Sequence, residues 1–150
     1  MIETTKSRLI GTWRLVSFES RDESGEIRHP LGKRALGQIM YGPEGRMSAI
    51  LVQQGRLPFA SGDMRRGTDA EVRSAFEGFI GYFGTYSVDA AAGTVTHHVQ
   101  GASFPNWMEG DQVRFYKLEG TRLSLSTPPF LYDGQSSRSV LIWARCGEVK

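Results

Sequence analysis

Between Gly84 and Pro129 the chain reads GTYSVDAAAGTVTHHVQGASFPNWMEGDQVRFYKLEGTRLSLSTPP, and this stretch leaves few folds open. Short runs of β-forming residues (Gly84 to Val88, Thr94 to Gln100, Gln112 to Leu118, Thr121 to Thr127) follow one another with only turn sequences between them, Asp89 to Gly93 and Glu119-Gly120 among them. Strands so close in sequence pair as antiparallel hairpins, because a parallel crossover needs a dozen or more connecting residues. A long antiparallel meander must hide its edges, and closing into a barrel removes them.

The rest of the chain extends this pattern. Arg8 to Ser20 reads as an opening strand in which Trp13, Leu15 and Ser17 alternate with Arg14, Val16 and Phe18. Arg34 to Tyr41 and Arg46 to Gln53 flank Gly42-Pro43-Glu44-Gly45 and form a predicted hairpin, and Gly55 to Gly67 is a loop able to border a cavity mouth. Thr68 and Glu71 have the spacing of a capping box, after which Val72, Ala75, Phe76, Phe79, Ile80 and Phe83 fall on one helical face, so one α-helix is expected at about 68–83. Ser139 to Arg145 is the closing strand. The expected fold is all-β, a closed antiparallel barrel of eight or nine strands with one inserted helix, and about eight strands leave room for one small ligand.

At 150 residues the chain suits one domain spanning 1–150. A formal net charge of +2 with scattered Lys and Arg speaks against nucleic acid as a partner. The lone Cys146 excludes an intrachain disulfide and a thiolate metal cluster. No run approaches the ~20 apolar residues of a membrane span, and the first residues lack a secretory apolar core, so no membrane partner is expected and the localisation expected is cytoplasmic.

Alternation in Thr94 to Gln100 sets Val95, His97 and Val99 inward and His98 outward, so the two histidines cannot readily hold one ion together and no metal site is expected. For Gln112 to Leu118 two readings stay open. Binary pattern turns Val113 and Phe115 inward, whereas a ligand barrel would line its interior with Gln112, Arg114 and Tyr116, Arg114 then meeting a ligand carboxylate, enolate or carbonyl. Trp107 after Pro105-Asn106 is either a packing plug or a ligand contact; Trp13 has the same two readings. Tyr82 and Tyr86 are able to place hydroxyls in a cavity or to pack as ordinary aromatics.

The segments LIGTWRLVSFE and YGPEGRMSA, with the Gly84 to Pro129 stretch, resemble the lipocalin-like domain family of stand-alone bacterial and fungal proteins; V-T-H-H-V, F-P-N-W and D-Q-V-R carry most of the resemblance. It implies a small β-barrel with an internal cavity, and proteins encoded beside natural-product pathways in secondary metabolism. It also places His97, Asn106, Trp107, Gln112 and Arg114 at signature positions.

Two functions follow as expectations. The first is binding of a small, largely apolar molecule in the barrel interior, with Trp13, Tyr86, His97, Asn106, Trp107, Gln112, Arg114 and Tyr116 as candidate ligand-binding residues. The second is a cofactor-independent isomerase or cyclase acting on a polyketide- or terpenoid-like intermediate, with His97 as acid/base and Arg114 or Gln112 stabilising an oxyanion. No cofactor is called for: a single inward histidine is more often structural than a haem ligand. A homodimer that covers the apolar outer faces of the first and last strands is a further expectation.

Overall fold

The computed structural model describes residues 4–147, so the expected 1–150 span reaches outside the described residues at both ends. The strands are β1 (Gly11–Asp22), β2 (Ile27–Arg28), β3 (Leu36–Tyr41), β4 (Arg46–Val52), β5 (Phe79–Asp89), β6 (Thr94–Ala102), β7 (Asp111–Glu119), β8 (Arg122–Ser126), β9 (Phe130–Tyr132) and β10 (Gln135–Arg145). Eight of them, in the order β1-β3-β4-β5-β6-β7-β8-β10, close into an antiparallel barrel when β10 pairs back onto β1, while β2 and β9 are short additions on β1 and β10. Closure leaves no long barrel edge unpaired. The 42–45 turn joins β3 and β4 in the register Tyr41 to Met47, as its turn chemistry predicts.

β1 contains an irregularity that alternation alone misses. Leu15 pairs with Trp143 and Ser17 with Ile142, so Val16 is bulged out and the strand changes phase. Trp13 and Leu15 face inward as expected, but beyond the bulge Phe18 and Ser20 take the inward positions in place of Ser17.

A helix absent from the expected element order, α1 (Thr5–Leu9), precedes β1 where a strand start was expected. Thr4 caps it by accepting from the Ser7 amide. Its last residue, Leu9, is fully buried, and the Leu9 carbonyl accepts from the Trp13 indole at 2.8 Å. The Arg145 guanidinium lies over the Trp13 ring and donates to the Ile10 carbonyl at 2.8 Å and to the Arg8 carbonyl, so α1 and β10 together plug this end of the barrel.

The inserted helix is shorter than its apolar spacing predicts. α2 (Asp69–Glu77) has the expected capping box between Thr68 and Glu71, but it ends at Gly78, and 79–83, expected to be helical, belong to β5. The string from Val72 to Phe83 satisfies the helical spacing and, from Phe79 on, strand alternation as well. Pairing decides between them: β5 bonds β4 on one side and β6 on the other, while Gly78 and Gly81 each cost a helix about 1 kcal/mol. Val72 and Phe76 remain about half exposed, and α2 buries no side chain.

Trp13, Leu15, Ile39, Tyr41, Ala49, Val95, Leu123 and Trp143 belong to one continuous buried cluster. The connections at the opposite end from α1 (residues 23–35, 53–78, 103–110 and 127–134) are the longer ones and form the rim of the mouth.

Candidate functional site

Cross-strand pairing fixes which side chains enter the barrel, because residues directly opposite each other point to the same face. His97 pairs with Tyr86 on β5 and with Gln112 on β7, and Val95 pairs with Arg114. Val95 and His97 have no solvent exposure, so Gln112 and Arg114 face inward with them, followed along β7 by Tyr116 and Leu118. This corrects the binary reading: Phe115 lies on the outer face at 47% exposure, and Val113 shares that face. The register with the buried β6 residues Val95 and His97 sets the phase of β7 and outweighs the local gain from burying one phenylalanine.

His97 is the centre of a three-ring chain. Its Nε2 meets the Tyr41 hydroxyl at 2.6 Å and its Nδ1 the Tyr82 hydroxyl at 2.8 Å, with both ring centroids 5.6 Å from the imidazole. Burial, assisted by the Arg114 and His98 charges, lowers the His97 pKa to about 3. The same burial raises Tyr82, despite the nearby Arg114 cation, and holds Tyr41 well above the usual phenol range. All three rings are therefore neutral at physiological pH, and a neutral imidazole satisfies both tyrosines by donating from one nitrogen and accepting at the other.

Arg114 donates from Nη2 to Gln112 Oε1 at 3.0 Å and from Nη1 to the Val113 carbonyl at 3.0 Å. Among the described residues no carboxylate lies within 4 Å of it. One residue past the Phe115–Ser126 pair, the register brings Thr127 beside Arg114, and the row continues around the wall. Thr127 Oγ1 accepts from the Ser139 amide at 2.9 Å, and Ser139 Oγ donates to Ser20 Oγ at 3.2 Å. The opposite wall, carrying Ile39, Ala49 and Leu51, is apolar and fully buried. Gln112, Arg114, Tyr116 and Leu118 on β7, with Phe18 on β1 and Leu141 on β10, face inward yet are only partly buried, so part of each side chain stays open to a solvent-sized molecule.

The other candidates fall outside this cluster or at its border. Trp107, on the single-turn helix Pro105–Trp107, packs edge-on against Tyr82 at 5.8 Å and stands at the mouth. Asn106 is exposed on the same turn. Tyr86 turns its hydroxyl to the Gly42 carbonyl at 2.7 Å, Tyr116 reaches Thr5 Oγ1 at 3.4 Å, and Trp13 belongs to the plugged end. Trp143 points inward, and its indole Nε1 is a buried donor without an acceptor among the described residues. His98 faces out, between Ser87 Oγ at 2.9 Å and Asp111 Oδ1 at 2.8 Å, so it cannot share a ligand with His97. A surface recess of about 340 Å³ borders His98 and Asp111, and another of about 650 Å³ lies between Leu31–Arg34 and Gln53–Gly55; neither is lined by His97, Tyr82 or Arg114.

Tyr41 and the buried hydroxyl row of Ser20, Thr127 and Ser139 were not singled out in the sequence. Tyr41 left a signal: it is in phase with Ile39 on β3, and a tyrosine on a core phase needs a polar partner inside.

The model of the lipocalin-like domain family matches residues 10–146. A protein of Aspergillus oryzae (strain ATCC 42149 / RIB 40), named 4'-hydroxy-3'-methoxypropiophenone carrier protein ppsC, is 32% identical over 106 residues, covering 66% of this chain and 96% of that protein. No solved structure is significantly similar. On the family match and the closed eight-stranded barrel together, the chain belongs to the lipocalin-like domain family.

Proposed function

We propose that this barrel is a carrier that holds a small, largely apolar aromatic ketone in its interior. Family membership and the carrier named among its relatives support a small-molecule binding role. The observation that carries the reading is the partly buried inner wall of β7, where Gln112 and Arg114 offer polar donors beside Tyr116, Leu118, Phe18 and Leu141, which offer apolar area. A few fixed polar groups on an otherwise apolar surface suit such a ligand. Trp107 at the mouth completes the lining on the β6–β7 side.

The isomerase or cyclase reading draws less support from the geometry. His97 has both ring nitrogens engaged by tyrosines, is fully buried, and with a pKa of about 3 is far from the pH at which a general acid or base works well. Titration of the protein with 4'-hydroxy-3'-methoxypropiophenone, read by tryptophan fluorescence and isothermal calorimetry, tests the carrier reading. Saturable binding with one molecule per chain is expected. Absence of binding to this ketone and to simpler aryl ketones rules it out, and turnover of the ketone abolished by His97→Gln would restore the enzymatic reading.

A further inference from the structure

We infer that the lumen takes its cargo as an oxyanion, an ionised phenol, enol or carboxylate on an apolar frame, seated against Arg114; this rests on the carrier reading above. Charge inside the barrel is unbalanced at this position. Arg114 faces inward and is partly buried, and the groups that accept from it, Gln112 Oε1, the Val113 carbonyl and the Tyr82 hydroxyl oxygen, are all neutral. A guanidinium has five donors, so the fork keeps unused N–H groups. Two other arginines are placed differently: the charge of Arg145 is absorbed by helix-end carbonyls and the Trp13 face at the plugged end, and Arg28, opposite Ser20, has the carboxylates of Asp22, Glu26 and Asp133 within 4 Å.

Among the described residues, no neighbouring element supplies the missing negative charge. On β3, β5 and β6 the groups facing Arg114 are Tyr41, Tyr82 and His97, all neutral for the reasons given above. On β7 they are Gln112 and Tyr116, and beyond it Thr127, Ser139 and Ser20 supply only hydroxyls. Glu19, Asp111 and Glu119 alternate onto the outer face. Asp22, which pairs with Ser137 at the rim, already accepts from the Ser24 and Glu26 amides and the Ser24 hydroxyl. A partly desolvated cation with no counter-charge carries a cost that a bound anion removes, and a bidentate guanidinium–oxyanion contact is among the stronger hydrogen-bonded pairs.

The test uses 4-nitrophenol, whose neutral and ionised forms absorb at different wavelengths, beside its methyl ether 4-nitroanisole, which cannot ionise. Bound 4-nitrophenol is expected to ionise at a pH lower by about one unit or more than in buffer, equivalent to at least about tenfold tighter binding of the phenolate than of the phenol. In Arg114→Gln, checked for folding by circular dichroism, that shift should vanish, with the ionised 4-nitrophenol losing more affinity than neutral 4-nitroanisole; Arg114→Lys should keep the shift. If both probes bind but bound 4-nitrophenol ionises as in buffer, or the shift survives in Arg114→Gln, the oxyanion inference is wrong and the carrier reading stands. If neither probe nor 4'-hydroxy-3'-methoxypropiophenone binds, both fall.

Discussion

His97 shows how one residue links interior chemistry to stability. Its folded pKa of about 3 lies below the ordinary 6.5, so between these values the unfolded chain takes up a proton that the native barrel refuses. Stability from this group is complete above the unfolded value and is lost as pH falls, at up to about 1.4 kcal/mol per unit. Urea denaturation at pH 7 and pH 5 should show that slope in the wild type and a shallower one in His97→Leu. Tyr41→Phe strips one nitrogen of its partner and is expected to cost about 1–3 kcal/mol, the penalty for a buried unsatisfied group. The two inward tryptophans should separate clearly in thermal melts. Trp143→Phe removes an unpaired donor and should stay within about 1 kcal/mol of wild type, whereas Trp13→Phe also forfeits the Leu9 hydrogen bond and the Arg145 stack and should cost at least about 2 kcal/mol more. Of these residues, the inward turn of His97 is legible in its own strand, because valines flank it at the right period. Arg114 is not legible that way. Its orientation is dictated by pairing with β6, and the local pattern on β7 points the other way.

Among the elements, α2 and β5 mark the limit of what spacing alone conveys. Their shared string fits helix and strand, and only the β4 and β6 partners decide where one ends. The consequence is a helix held by its caps and its connections rather than by packing. Thr68→Ala, which breaks the capping box, should therefore raise amide exchange locally across 69–77 with little change in the global melting temperature, even though such a cap is worth about 1 kcal/mol. Gly84 behaves in the opposite way. A Cβ there would sit 1.9 Å from the His98 carbonyl oxygen, at the point where the β5–β6 register shifts, so Gly84→Ala must displace backbone and should lower global stability by more than about 2 kcal/mol. The hairpin around 42–45 was readable because its turn residues specify it; the bulge at Val16 and the cap α1 were not, since each exists to fit a barrel that must first close.

At the scale of the whole molecule, the barrel is asymmetric along its axis. One end is filled by Leu9, Trp13 and Trp143, and the other is rimmed by long connections with Trp107 at its lip. Amide exchange should follow this division, slowest around Trp13 and Leu123 and fastest in 53–67 and 127–134. Barrel closure and strand order were readable from the succession of hairpins. What the interior holds was only partly so, because the hydroxyl row joins Ser20 on β1 to Ser139 on β10 and Thr127 just past β8, and Ser20 lies more than a hundred residues from the other two.

The Tyr41–His97–Tyr82 chain has one more property. Its protons can run in either of two orders along the three groups, and in isolation neither is preferred. Arg114 bonds the Tyr82 oxygen, which leaves the Tyr82 hydrogen to point at Nδ1, so the imidazole proton is expected at Nε2, facing Tyr41. An anion seated on Arg114 weakens the bias. Nitrogen-15 chemical shifts of His97, a histidine that never meets solvent, are therefore expected to move toward the other tautomer when an anion occupies the lumen.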